Sequence, residues 1–321
     1  MPGQILVIGS SNTDMVVRTD RLPAPGETVM GGTFLMNPGG KGANQAVGAA
    51  RLICGPEPAK STSCIVTFVA KVGHDLFGQQ AIDGFRREGI DVRYVLTDAG
   101  QPSGVALINV DARGENCITV APGANAHLSP ADVDAALQAA PPDTLVLLQL
   151  EIPLPTVAHA VRQGAKRQLR VILNPAPAQT LPAGLFPDLF LITPNETEAE
   201  ALTGIRVTDD ATAEQAALTL HRMGVANVII TLGAKGAYLH TKTDAVLIPA
   251  PPVTPVDTTA AGDCFNGALA VALSDGQSLP DAVAFACRAA SVSVTRPGAQ
   301  ASMPTRHDVS TMLATTAHPT A

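Results

Sequence analysis

Residues 257–267 read D-T-T-A-A-G-D-C-F-N-G. Small residues lead into Gly262, Asp263 follows, and an apolar helical pattern then begins at Phe265, Leu269, Val271, Ala272 and Leu273. A glycine-rich turn running into a helix leaves backbone N–H groups unpaired and pointing outward. The helix dipole adds partial positive charge there, so the place suits a phosphate. An acid set in an anion-binding turn needs a task. The chemical one is to take a proton from a hydroxyl as phosphoryl transfer begins. The plain alternative makes Asp263 an ordinary first-turn helix acid.

Outward from that turn, short apolar runs alternate with helical patterns. Residues 5–8, 65–70, 145–149, 170–173, 189–192 and 227–231 are apolar almost throughout, as strands covered on both faces are. Helical patterns fall near 42–53, 77–88, 155–167, 211–223, 262–274 and 280–294. This alternation predicts an α/β fold, a mostly parallel central sheet with helices on both faces. Ligands of such sheets bind beyond the carboxyl ends of the strands.

Four segments break the alternation: 14–18, 28–36, 103–110 and 116–120 read as strands with no helix between partners. The turn Asp111-Ala112-Arg113-Gly114 suits a hairpin between the last two. They predict a small four-stranded sheet, contributed by two insertions at about 14–36 and 103–120. Its apolar face covers a ligand cleft as a lid, a second subunit, or its own core. The 321 residues, 46% of them hydrophobic, can bury a large core as one α/β domain, 1–321. Only a polar tail after about Thr311 departs from that.

Composition narrows the partners. The net charge is −7 and there is no basic block, which argues against nucleic acid or an anionic membrane. The five cysteines include no C-x-x-C pair, so a zinc site is not expected. Cys54 and Cys64 bracket a proline-containing loop and could pair, but reduced thiols in a cytoplasmic protein are the expectation. The run Ile5-Leu6-Val7-Ile8 is too short for a signal peptide. No 18-residue apolar stretch exists to span a membrane, and the final Pro-Thr-Ala is no targeting tripeptide.

Other polar segments stand after strands or at helix starts. N-P-G-G-K-G-A-N-Q-A at 37–46 has three glycines, which permit close backbone approach to a ligand, and Asn44 then sits in a first helical turn. It is either a sugar-binding turn or a plain one, and no Walker A pattern is present. Asn12 and Asp14 follow the first strand; the carboxylate can accept bonds from vicinal hydroxyls, or the pair can simply close an Asx-turn. Asn195 and Glu198 have capping-box spacing, or stand near nucleotide phosphates and hold Mg²⁺ through water, since magnesium keeps several waters. Thr231-Leu232-Gly233-Ala234-Lys235-Gly236 offers backbone and hydroxyl contacts for a nucleotide.

G-G-K-G-A-N-Q-A at 39–46 and D-T-T-A-A-G-D at 257–263 resemble the two signatures of the ribokinase-like (phosphofructokinase-B type) carbohydrate kinases. P-G-E-T-V at 25–29, G-A-N-A-H-L-S-P at 123–130, N-P-A-P-A at 174–178, T-P-N-E-T-E-A-E at 193–200 and V-T-R-P-G-A-Q at 294–300 extend the resemblance to about residue 310. It implies transfer of the ATP γ-phosphoryl group to the 5-hydroxyl of D-ribose. Asp263 would be the catalytic base, with the amides of Ala260, Ala261 and Gly262 as anion hole. Asn12, Asp14, Gly40, Lys41, Asn44 and Glu151 would contact the sugar along with Asp263. Asn195, Glu198, Thr231, Gly233, Gly236, Gly262 and Cys287 would line the nucleotide site. A monovalent cation, usually K⁺, would be held by Asp257, Ser302 and carbonyls of Thr259, Ser293, Arg296 and Gly298. The small sheet would be the lid and the homodimer contact.

Three departures stand out: Cys264 in place of a hydroxyl residue after the base, Cys287 near the expected adenine, and a long loop at 54–63. Rival readings are another small-sugar kinase, acting on 2-deoxyribose, fructose or a nucleoside, and a sugar-binding regulator without catalysis. Asp14 with Asn12 and Glu151 favours a small furanose with adjacent hydroxyls. A dinucleotide oxidoreductase needs G-x-G-x-x-G after the first strand, which residues 9–14 lack.

Overall fold

The computed structural model describes residues 4–53 and 65–316. Its first strand, β1 (Ile5–Ile8), is followed by β2 (Asn12–Arg18) and β3 (Thr33–Gly39), and only then by α1 (Lys41–Ile53) and β4 (Val66–Gly73). Next come α2 (Leu76–Arg87), β5 (Asp91–Asp98), β6 (Gly104–Val110), β7 (Asn116–Ala121), α3 (Pro130–Ala139), β8 (Leu145–Leu148), α4 (Leu154–Lys166), β9 (Arg170–Leu173) and β10 (Leu191–Ile192). Then follow α5 (Glu196–Thr203), α6 (Asp210–Met223), β11 (Val228–Thr231), β12 (Ala237–His240), β13 (Ala245–Ile248), α7 (Ala261–Ser274), α8 (Leu279–Ser293) and α9 (Arg306–Thr316).

Nine strands form one sheet in the order β13-β12-β11-β10-β9-β8-β1-β4-β5. The pairings from β5 to β11 are all parallel, and β12 and β13 close the edge antiparallel. Alternation inside β1 sets the two layers. Ile5 and Val7 join the core formed with α1, α7 and α8, while Leu6 and Ile8 join the core formed with α3, α4 and α6. The chain runs from β1 outward to β4 and β5, then returns to the other side of β1 at β8. Strand order therefore reverses at β1, and the crevice beyond its carboxyl end is where such a sheet takes its ligand.

The second sheet has the order β3-β2-β6-β7. Its strands leave the core in two excursions, β2–β3 between β1 and α1, and β6–β7 between β5 and α3, as the broken alternation predicts. The expected strand over 28–36 begins at Thr33 instead. Gly31 and Gly32 adopt φ of 92° and 114°, which extended pairing does not accommodate. The run at 189–192 pairs only through Leu191–Ile192. The expected polar tail after Thr311 is still helical to Thr316. Three elements absent from the sequence reading, β5, β12 and β13, are the two edge strands of the sheet and the four-residue strand next to β13. A fourth, α3, has a legible start, with a Ser129–Asp132 capping box and Pro130 at its first position. Cys54, Cys64 and the long loop at 54–63 lie outside the described residues.

Small residues let α1 sit tightly on its neighbours. A Cβ on Gly42 would stand 2.6 Å from the Gly9 carbonyl carbon, and one on Gly267 would stand 2.8 Å from Gln45 O. Interiors this dense do not absorb an added methyl freely. Gly42→Ala is expected to lower stability by about 1–3 kcal/mol, read from the midpoint of urea unfolding. An unchanged midpoint would contradict this account of how β1, α1 and α7 meet.

Candidate active site

The chain enters α7 through Ala260, a non-glycine residue at φ 59°. That left-handed residue turns the backbone sharply, so the first-turn amides face a cavity of about 190 Å³ lined also by Lys41, Asn195, Glu198, Thr231 and Asn266. First-turn amides have no intrahelical acceptor. One of the three expected anion-hole amides is engaged, since Ala261 N–H donates to Thr258 O at 3.2 Å. Gly262 has open space on its Cβ side, which leaves room for a ligand against the turn. A second cavity, about 630 Å³, lies between β3, α2 and Gln300. It contains none of the acids gathered around Lys41, so the chemistry belongs to the smaller one.

Asp263 is only 5% exposed. Asn44 Nδ2 donates to its Oδ2 at 2.9 Å and Gln45 Nε2 donates to its Oδ1 at 2.9 Å. Both donors come from the first turns of α1, which the Gly267 contact brings against α7. Burial pushes the Asp263 carboxyl above the usual carboxylate range, while Lys41, Asn44 and Gln45 oppose the shift. A base whose affinity for protons is raised in this way suits abstraction from an alcohol better than an ordinary surface carboxylate.

Lys41 lies amid four carboxylates, Asp263, Glu151, Glu198 and Asp14. Burial alone would lower its pKa, but those charges together raise it, so the ammonium stays protonated. Asp14 is pushed up to about 6, first by burial, then by Glu151 and Asp263, against the pull of Lys41. No donor among the described residues hydrogen-bonds its carboxylate. Its oxygens crowd the Cβ position of Gly39, so a side chain there would displace the carboxylate. Asn12 Oδ1 accepts from Asn125 Nδ2 at 2.8 Å. Gly40, at φ 89°, would place a Cβ 2.7 Å from Asn12 N. Glu151 Oε2 accepts from Ser10 Oγ at 2.5 Å and from Lys41 N at 3.0 Å. Besides its expected sugar role, Glu151 therefore caps the start of α1.

On the far side of the cavity, Asn195 and Glu198 form the capping box that their spacing predicts, and Glu198 is nearly buried. Both Glu198 oxygens accept from Asn195, at 3.0 and 3.1 Å. Among the described residues no group of three His, Cys, Asp or Glu is placed to hold a metal. Asn195 bridges to Thr231. Gly233 and Gly236 shape the next turn at φ 54° and 109° but do not line the cavity. Cys287 is 3% exposed, its Sγ 4.0 Å from Ile248 O, and it does not line this cavity. Burial pushes its thiol to about 12, and that of Cys264 likewise.

The loop before α7 meets the loop after α8. Asp257 Oδ1 accepts from Thr259 N and Oδ2 from Gly298 N, each at 2.9 Å. Ser293 O accepts from Arg296 N at 3.0 Å, the Arg296 side chain pairs with Asp308 at 3.0 Å, and Ser302 Oγ donates to Ala299 O at 2.8 Å. These bonds tie the Asp257 loop to the loop after α8.

Sequence reading missed the polar layer behind Asp263. Gln149 Nε2 donates to Gln45 Oε1 at 2.5 Å, Gln45 Nε2 reaches Asn174 Oδ1 at 3.0 Å, and Thr193 Oγ1 donates to Asn266 Oδ1 at 2.6 Å. The available signal was polar residues inside otherwise apolar runs: Gln149 ends a buried strand, and Gln45 stands in an alanine-rich helix.

A family model described as pfkB family carbohydrate kinase matches residues 3–306. The Haemophilus influenzae ribokinase is 43% identical over 305 residues, covering 95% of this chain and 96% of that one. A Salmonella typhi deoxyribokinase is 39% identical over 301 residues, covering 94% and 95%. The structure of Arabidopsis thaliana ribokinase complexed with ribose and ATP superposes with a TM-score of 0.86 at 33% identity, covering 97% of this chain and 98% of that one.

The electrostatics of Asp14 carry their own expectation. Its folded-state pKa of about 6 lies above the unfolded value of 3.8. The folded state therefore binds the proton more tightly, and stability is lost as pH rises through 6. At pH 8 the ionised, half-buried group costs about 1–3 kcal/mol. Asp14→Asn should be more stable than the parent by that amount at pH 8, with the gap shrinking as pH falls below 6. Urea unfolding at the two pH values decides it; a variant no more stable at pH 8 would contradict the burial of this charge.

Proposed function

Because the chain belongs to the pfkB family of carbohydrate kinases, we propose that it transfers the γ-phosphoryl group of ATP to the 5-hydroxyl of D-ribose, giving ribose 5-phosphate. The observation that carries this reading is Asp263, a buried acid of raised proton affinity at the first turn of α7, facing a cavity with the turn amides and Lys41. Asp263 takes the hydroxyl proton as the sugar oxygen attacks the γ-phosphorus. Ala260 and Gly262 present amides to the equatorial oxygens without reorganising, and the Ala261 amide joins them once released from Thr258. Asp14, lacking a donor of its own, accepts from the sugar hydroxyls. Asn12, Gly40, Asn44 and Glu151 shape the rest of that pocket, and Asn195, Thr231, Gly233 and Gly236 the nucleotide side.

The acids around Lys41 make the cavity a poor host for a bare triphosphate, which fits ATP arriving with Mg²⁺. Glu198 is committed to Asn195, so it would hold the metal through water, and the metal supplies charge neutralisation at the phosphates. K⁺ suits the oxygen ligands of the Asp257 loop, where it would brace the α7 turn. The sheet β3-β2-β6-β7 acts as a lid within one catalytic domain and as a homodimer contact. Phe34, Leu35, Met36, Leu107, Ile118 and Val120 are exposed on it, and a patch of this kind marks an interaction surface. A cytoplasmic setting fits ATP use and the free thiols of Cys117, Cys264 and Cys287. No described helix is long and apolar enough to cross a membrane.

The deoxyribokinase relative keeps 2-deoxyribose as a second reading. A site whose polar groups bond the 2-hydroxyl rejects the sugar that lacks it. A panel of ribose, 2-deoxyribose, fructose and nucleosides, run in K⁺ and in Na⁺, is expected to show highest kcat/KM for ribose in K⁺. Preference for another sugar overturns the substrate, and equal rates in the two salts overturn the cation. In the same assay Asp263→Asn should keep its fold and lose at least about 10²-fold in kcat; near-normal turnover would remove Asp263 as the base.

A further inference from the structure

Asp263 has two oxygens, and α1 treats them differently. Oδ1 is held by Gln45, itself fully buried and held in turn by Gln149, also fully buried. The Gln45 amide is fully paired, its Nε2 shared between Asp263 and Asn174 and its Oε1 accepting from Gln149, while Gln149 Oε1 is buried against Gly9 with no partner among the described residues. A carboxylate only accepts hydrogen bonds, so both Gln45 and Gln149 must point their amide nitrogens toward it. Oδ2 is held by Asn44, whose own Oδ1 is buried and has no partner. Of the two residues that touch the carboxylate, Gln45 has its amide fully paired and Asn44 does not, and Asn44 is the one expected to meet the sugar.

We propose that Gln45 is a positioning residue that fixes Asp263 through Oδ1, leaving Oδ2 as the proton-accepting oxygen, and that Asn44 covers Oδ2 until the sugar draws it away. This rests on Asp263 being the base of a sugar kinase. A sugar hydroxyl donating to Asn44 Oδ1 satisfies the orphaned acceptor, and the amide then turns from Asp263. The carboxylate loses one stabilising donor and becomes more basic as its substrate arrives. The 5-hydroxyl proton passes to Oδ2, the sugar oxygen bonds to the γ-phosphorus, and the bond from that phosphorus to the bridging oxygen breaks, releasing the nucleoside diphosphate. Without sugar, Oδ2 stays covered and water is not activated against ATP.

The test uses the full-length enzyme with Gln45→Met, which keeps volume and removes the donor. Turnover should fall about 10–100-fold, in line with misplacement of a catalytic group, with ribose KM within about twofold of the parent. The acid limb of kcat should move to higher pH, because a bond that favours the ionised base is gone. Asn44→Ala should raise ribose KM and increase sugar-free ATP hydrolysis at least about fivefold, which Gln45→Met should not. Should Gln45→Met fail to fold by circular dichroism, Gln149→Met must show the same shift of kcat and acid limb in smaller size. The proposal is overturned by wild-type kcat and acid limb in the folded glutamine variant, or by sugar-free hydrolysis in Asn44→Ala that stays at the parent level. Loss of ribose phosphorylation by the parent, or full activity of Asp263→Asn, would instead overturn the reading on which it rests.

Discussion

Burying the Asp263 carboxylate in the first turn of α7 is costly unless donors meet both its oxygens. The packing of α1 on α7 meets that requirement. Gly267 presses on the backbone of Gln45, Gly48 and Ala49, so the two helices approach until Asn44 and Gln45 reach the carboxylate. Gly42 in turn lets α1 start against the end of β1, where the strand order of the sheet reverses. The catalytic geometry is therefore a consequence of small residues at three contacts, and the apolar layers on either side of β1 hold those contacts rigid.

Charge is the second constraint. Four acids around one lysine leave the pocket short of cations. That shortage suits hydroxyl groups on the sugar side and a metal-bound triphosphate on the other. Asp14 shows the compromise most plainly: a half-buried carboxylate without a donor among the described residues weakens the fold and is left ready to receive hydrogen bonds from a ligand. Strain of this kind is usual where structure is arranged for function rather than for stability.

Much of this was legible in the sequence. The apolar runs at 5–8, 145–148 and 170–173 are buried on both faces and could be little other than central strands. The G-D pair at Gly262–Asp263 and the glycines before Asn44 sit where backbone must approach a ligand. What escaped were features set by tertiary contact. Gln149 looks like a strand-end residue until Gln45 is seen against it, and nothing in the helical pattern of α8 shows that Cys287 packs on Ile248 of β13. The strand expected from 28 was cut short by two glycines whose dihedral angles no propensity reveals. At that end of the sheet β12 is only four residues long and ends in His240, and β13 is a four-residue apolar run left partly exposed.

The central claim is that Asp263 Oδ2 takes the proton of the sugar's terminal alcohol. A crystal structure of the wild-type protein with ribose and a non-hydrolysable ATP analogue tests it most directly. The account predicts the 5-hydroxyl oxygen within about 2.6–3.2 Å of Oδ2, with Gln45 still on Oδ1 and Asn44 turned to the sugar. A 5-hydroxyl out of reach of the carboxylate, with Asn44 unmoved, would contradict it.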